Sequence, residues 1–313
     1  MLLSGRKTTR YIIAIFLIVS LNFFIPRSMP GDPLTNLLGE DIMLTDRSVV
    51  ELRERMDLDR PLFQQYLEYW HDILRFDLGY SFHLHRNVSD LIYDRMKWTL
   101  LLSMPALVLG AIMGTLLGAR AGWRSSPLRK LETGIIVAIY CTPPYFLSLI
   151  ALYLLSYKLG LFPLKGLYST GSASDIAHHL FLPSTMMALF SLSRNYMIMK
   201  GSVLQEKGSL YAAFARAKGL YDEQILFRHV FKNALLPIIT LLALDFGFIL
   251  SGALFIEIVF SMNGMGSLIY DALLSRDYPV LQGSFLIITI MVVSANLLAD
   301  LLYSHLDPRV GWQ

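Results

Sequence analysis

The chain has 313 residues, of which 54% are hydrophobic and only 16% charged; soluble domains run at about 45–50% apolar and about 25% charged. That balance excludes a disordered protein, a coiled coil and an ordinary cytosolic enzyme. A net charge of +3 offers no basic face for nucleic acid, and one cysteine, Cys141, can form neither an internal disulfide nor a thiolate metal cage.

A membrane helix needs about 20 mostly apolar residues. Six runs qualify: 11–29, 98–119, 134–157, 180–199, 234–260 and 280–303. The first is too long for the apolar part of a signal peptide, and its exit lacks an Ala-x-Ala site. Pro105, Pro143, Pro144, Pro183 and Pro237 fall inside spans. Each removes a backbone donor and favours a bend.

Lys and Arg near the span ends set the orientation. Arg6, Lys7 and Arg10 precede the first span. Arg120, Arg124, Arg129 and Lys130 separate the second from the third, and Lys200, Lys207, Arg216, Lys218, Arg228 and Lys232 the fourth from the fifth. The N-terminus is therefore expected in the cytoplasm, and with six spans the C-terminus as well. Segment 31–97 is then extracytoplasmic. It carries thirteen acids against eight Lys and Arg, and long translocated loops are exempt from the charge rule. Pro61, Phe63, Tyr66, Leu67, Trp70, Ile73 and Leu74 follow helical spacing, so a small helical cap is expected, with Asp77-Leu78-Gly79 as a turn.

Ala106, Gly110, Gly114, Gly118 and Gly122 recur every four residues in the second span. Such a strip admits another helix backbone, which predicts tight helix packing at Gly110, Gly114 and Gly118. Asp245 and Glu257 lie in the fifth span. Twelve residues at about 100° each leave them about 120° apart around the helix. A mid-bilayer acid costs roughly 2.5–3.5 kcal/mol. Asp245 is therefore expected to line a water-filled path, or to pair with a cation such as Arg194, or to be protonated. Glu257 and Asp300 sit near span ends; Glu257 is a path candidate or an interfacial anchor, and Asp300 shares a face with Asn296.

No Gly-x4-Gly-Lys-Ser/Thr, His-Glu-x-x-His or Gly-x-Ser-x-Gly sequence occurs, so no catalytic residue and no metal site is assigned. His83 with His85, and His178 with His179, lack a third ligand at fixed spacing and read as solvated loop histidines.

The loop at 200–233 is informative. Residues from Gly201 to Lys218 favour helix, Gly219 fits a C-cap, and Asp222 fits the cap of a second helix. Tyr211, Phe214 and Lys218 fall at i, i+3 and i+7. Two aromatics are thus expected on one exposed face, which would mark a docking surface.

The run Tyr211-Ala-Ala-Phe-Ala-Arg-Ala-Lys-Gly219-Leu220, with Arg228-His229 and Asn233-Ala-Leu-Leu-Pro237, resembles the cytoplasmic EAA loop of ABC importer permeases in its peptide/nickel form. The family's Glu position falls on Ala213, and the proline lies eighteen residues after Gly219 rather than thirteen. Pro30-Gly-Asp-Pro33, Leu58-Asp-Arg-Pro-Leu62, Asp77-Leu-Gly-Tyr-Ser-Phe82, Gly264-Met-Gly266, Arg276-Asp-Tyr-Pro-Val280 and Leu306-Asp-Pro-Arg309 extend the resemblance over nearly the whole chain. One departure, Phe260-Ser-Met-Asn-Gly264 in place of Phe-Ser-Trp-Pro-Gly, falls at the expected outer mouth.

The resemblance implies an all-α membrane protein with the type I ABC importer permease fold: 1–30 as N-terminus and first helix, 31–97 as the insert, 98–303 as helices two to six with the coupling loop at 200–233, and 304–313 as a cytoplasmic tail. It implies an inner-membrane subunit that works with a second homologous permease, two cytoplasmic ATPases holding ATP and Mg, and an extracytoplasmic binding protein. This chain would bind no cofactor itself. Tyr211, Phe214, Ala215, Arg216, Ala217, Lys218 and Gly219 are implied as the ATPase-docking element. The implied cargo is a di- or oligopeptide, with nickel or a metal chelate as the alternative. An ion-coupled secondary transporter would need inverted repeats, and none is visible.

Overall fold

The computed structural model describes residues 5–29 and 59–306, with side chains over 9–29, 59–251 and 253–298. The expectations for Pro30–Pro33, for the tail beyond 306 and for the Asp300 side chain lie outside these residues. Among the described residues, four unbroken helices are long and apolar enough to cross a membrane, over Thr9–Arg27, Val88–Trp123, Ala173–Lys207 and Tyr278–Leu298. The count reaches six if each of two bent pairs is one crossing.

The first helix, α1 (Gly5–Arg27), carries α2 (Leu62–Leu74) along its flank. Trp70 stacks on Phe16 at 5.5 Å between ring centroids, Tyr66 meets Phe23 at 5.3 Å, and the Tyr66 and Ser20 hydroxyls lie 2.7 Å apart. The helical spacing seen in the insert is thus real, but the helix is fastened to α1 as far down as Phe16 rather than standing clear as a cap. Asp77 Oδ1 accepts from the Gly79 amide at 2.9 Å, and Gly79 takes φ +82°, forming the turn into hairpin β1 (Tyr80–Ser81) and β2 (Arg86–Asn87).

Helix α3 (Val88–Trp123) packs along α6 (Ala173–Lys207). The glycine strip makes this contact. A β-carbon on Gly110 would lie 2.5 Å from the Ala188 carbonyl, and one on Gly118 equally close to that of Tyr196. Gly114 faces the Leu192 carbonyl and Gly122 that of Lys200, so each step of four on α3 meets a step of four on α6. The order is the same on both helices, so they run parallel.

The prolines do not act alike. Pro105 and Pro183 sit inside continuous helices. Ser184 Oγ donates to the Leu102 carbonyl at 3.2 Å, next to the Leu101 carbonyl that Pro105 leaves without its helical donor. Pro143-Pro144 breaks the third expected span into α4 (Pro127–Cys141) and α5 (Pro144–Ala151, continued by a π-helical turn Leu152–Lys158), bent by 103°. A residue before proline avoids the helical region. Two prolines in succession therefore hold both Thr142 (ψ 130°) and Pro143 (ψ 138°) extended.

After α6 come α7 (Leu210–Ala217), α8 (Asp222–Ile225, with a π-helical turn Leu226–Val230) and α9 (Phe231–Ala234). The expected fifth span is then divided among α10 (Leu236–Gly247), α11 (Ile249–Gly252) and α12 (Leu254–Val259). Helices α13 (Met265–Ser275) and α14 (Tyr278–Leu306) complete the chain. The start of α14 meets the end of α1, where the Arg27 guanidinium lies 5.7 Å from the Tyr278 ring centre.

Candidate functional site

Three places carry polar chemistry at positions where an apolar bundle would not place it by chance. The first is the loop after α6. Residues 201–218 do not form one helix. Helix α6 ends at Lys207, Gly208 closes it, and Ser209 stands at the N-cap of α7. Within α7, Ala212 and Ala215 are buried against Trp123, Met199 and Val203 at the ends of α3 and α6. Leu210 and Phe214 point away and are 79% and 68% exposed.

This corrects the expected docking face at two positions. Tyr211 is half-buried and its hydroxyl donates to the Glu206 carboxylate; burial, with Glu206 adding to it, raises its pKa. Ala215 faces inward. At 100° per residue, Tyr211 and Phe214 lie about 60° apart on the helix, and the core takes the sector holding Tyr211. The outer face consists of Leu210, Phe214, Ala217 and Lys218, continued by Tyr221 beyond the turn. Arg216 is exposed, with its guanidinium 5.7 Å from the Trp123 ring centre.

Gly219 ends α7 in the left-handed region at φ +78°. Its amide donates to the Arg216 carbonyl at 3.0 Å, and the Leu220 amide donates to the Ala215 carbonyl at 3.3 Å. This is a Schellman closure, with Leu220 packed into the same apolar cluster. The next helix takes Tyr221, not Asp222, as its cap; Asp222 and Glu223 occupy its first turn, where acids suit the helix dipole.

The second place is a cleft of about 230 Å³ between α3, α6 and α10–α11. Arg194 on α6 and Asp245 on α10 form an ion pair in its wall, with side chains 37% and 15% exposed. Of the three expectations for Asp245, pairing with Arg194 is realised, and the pair lines an open cleft.

The third is Glu257, only 1% exposed. In place of the expected path residue or interfacial anchor, the side chain is enclosed within this chain, away from the Arg194–Asp245 cleft. Thr99 Oγ1 donates to its Oε1 at 2.5 Å and the Ser267 amide to its Oε2 at 2.9 Å, while the Met265 amide donates to Thr99 Oγ1 at 2.7 Å. The carboxylate thus receives the free amides at the start of α13, which a helix N-terminus offers to an anion. Gly264 leaves room for it, since a β-carbon there would strike the carboxylate, while one on Gly266 would strike the Leu254 backbone at 2.5 Å.

Of the four paired histidines, His83, His85 and His178 are exposed and only His179 departs from the expectation. His179 is buried, with Nδ1 3.2 Å from Asp175 Oδ1, because the N-terminal turn of α6 folds back onto the 169–171 loop. His178 Nε2 lies 2.9 Å from the Leu161 carbonyl. Among the described residues, no group of three or more His, Cys, Asp or Glu is placed to hold a metal ion.

Residues 106–312 match the family described as binding-protein-dependent transport system inner membrane component, and residues 2–103 match its N-terminal membrane component. The chain is 32% identical to the oligopeptide transport system permease protein AppB of Bacillus subtilis over 98% of both chains. It is 30% identical to the glutathione transport system permease protein GsiC of Escherichia coli, over 96% of this chain and 95% of that one.

Proposed function

We propose, since the chain belongs to the family of binding-protein-dependent transport system inner membrane components, and there to the peptide/nickel branch of ABC importer permeases, that it forms half of a membrane path for di- and oligopeptides. It is a multi-pass inner-membrane protein. A second homologous permease supplies the other half of the path, two ATPase subunits bind and hydrolyse ATP in the cytoplasm, and an extracytoplasmic binding protein delivers the cargo. Both termini lie in the cytoplasm. The parallel course of α3 and α6 supports counting α4–α5 as one crossing, because two parallel spans need an odd number of crossings between them. The names of the relatives support peptide over nickel or a metal chelate.

The observation that carries the coupling is the two-faced α7. Its inner face is built into the ends of α3 and α6, while its outer face leaves Leu210 and Phe214 uncovered. Apolar side chains exposed on a polar loop mark a protein contact. A helix locked to the bundle on one side can pass movement of an ATPase docked on the other. Purification of the tagged chain from its native cells, with Phe214→Asp beside the natural sequence, tests this. The ATPase should accompany the natural chain and be lost from the variant, with insertion unchanged. Labelled peptide uptake should fall in step while nickel uptake does not change. ATPase retained at the natural level by the variant would refute the assignment of α7.

A further inference from the structure

A guanidinium that is 37% exposed at mid-span does not face hydrocarbon, where its cost would be roughly 2.5–3.5 kcal/mol or more. An intramembrane guanidinium faces the interior of a bundle or a water-filled cavity, and the cleft beside Arg194 supplies that cavity. Asp245, across the same cleft, neutralises it, and both charges remain reachable from the opening. The rest of the wall is mostly apolar: Leu107, Met187, Phe190 and Phe248 offer contact area, while the Ser103 and Ser191 hydroxyls are turned to Met187 Sδ and the Leu107 carbonyl.

We infer that the Arg194–Asp245 pair is the cargo-terminus site of the path: Arg194 takes the free carboxylate of a zwitterionic peptide and Asp245 its free ammonium. This rests on the peptide-importer reading and adds a selection rule to it.

The charge balance favours a zwitterion over a singly charged cargo. A lone cation drawn to Asp245 would leave Arg194 uncompensated, and a lone anion would strand Asp245. An unpaired charge within a membrane span is unfavourable. A zwitterion replaces one internal ion pair with two external ones, and the site stays neutral before, during and after passage. The apolar wall then accepts varied side chains, while the two termini fix orientation. Guanidinium suits the carboxylate end because it can offer two parallel donors. No bond is made or broken.

The test uses the complete importer in proteoliposomes with saturating binding protein. Three forms of one labelled tripeptide are compared: both termini free, N-acetylated and C-amidated. Binding-protein occupancy is measured for each, so that import is expressed per loaded binding protein. The natural complex should import the free form roughly tenfold faster or more than either capped form. Arg194→Gln should abolish the preference for a free carboxylate and keep the preference for a free amine; Asp245→Asn should do the reverse. Equal loss for all three forms in both variants would show a helix-to-helix tie only and overturn the proposal. If the variants do not insert, the natural complex decides alone: equal rates for free and capped peptides per loaded binding protein overturn it. A natural complex that moves no peptide overturns the importer reading itself, and is told apart by that total inactivity.

Discussion

Thr99 and Glu257, 158 positions apart in the sequence, meet through a 2.5 Å hydrogen bond that closes the junction of α3, α12 and α13. The same hydroxyl accepts from the Met265 amide at 2.7 Å, so one threonine joins a buried acid to a helix N-terminus. Glu257→Ala removes the acceptor of both Thr99 and Ser267 and opens a cavity, which should cost about 2–5 kcal/mol. Glu257→Gln keeps the shape and one carbonyl acceptor and should cost less. Thermal unfolding of the purified complex in detergent checks the ranking. A stability unchanged by the alanine would mean that water replaces the carboxylate.

The glycines on α3 are expected to be intolerant in proportion to their clearance. Gly118→Val sets side-chain carbons against the Tyr196 backbone, and overpacking of this kind costs about 1–3 kcal/mol or more. Gly134 on α4 has no atom within 4 Å of its β-carbon position, so Gly134→Ala should leave the yield of inserted protein unchanged. Comparing the two variants by yield and melting temperature separates a close-packing role from a general dislike of change in membrane glycines.

The glycine strip was legible because a repeat of four is itself helix geometry, and the carbonyls it meets recur at the same interval on α6. The Arg194–Asp245 pair was legible because isolated charges in apolar runs have few partners open to them. Other features were not. Glu257 sits near a span end by count, and only the fold of 260–267 brings the α13 amides onto it. Tyr211 and Phe214 have the spacing of neighbours, but burial divides a helix face more finely than three-residue spacing does. The Pro143-Pro144 pair announced a break; the 103° of it comes from two consecutive extended residues, which periodicity does not register. Helix α2 has the composition of a surface helix, and its seat on α1 depends on aromatic contacts between residues distant in the sequence, such as Phe16 with Trp70.

Gly219 provides a graded test of the coupling element. At φ +78° an ordinary L-residue is strained by roughly 1–2 kcal/mol, while Asn and Asp tolerate the left-handed region better. Gly219→Ala should loosen the Schellman closure and reduce uptake. Gly219→Asn should be the mildest change. Gly219→Asp adds a negative charge beside the exposed face of α7 and should uncouple import from ATP hydrolysis with normal insertion. Peptide uptake and ATPase rate measured on the same preparations decide it. Full uptake by a correctly inserted Gly219→Asp protein would remove this turn from the mechanism.

Asp277 should show itself through pH. It caps α14, accepts from Ser81 Oγ at 2.5 Å, and is only 7% exposed. Burial holds its pKa above the usual carboxylate range, against the opposing hydrogen bond from Ser81. The folded state therefore binds this proton more tightly than the unfolded chain does. The stability contributed by that proton is complete below the unfolded pKa and is lost as pH rises through the folded one. Asp277→Asn retains a good cap and does not titrate. Relative to the variant, the natural protein should be most stable in acid and should lose ground as pH rises from the ordinary carboxylate range toward neutrality. Melting temperatures of both proteins across that interval give the sign directly. A natural protein that gains on the variant as pH rises would mean that the hydrogen bonds to the ionised carboxylate outweigh its burial.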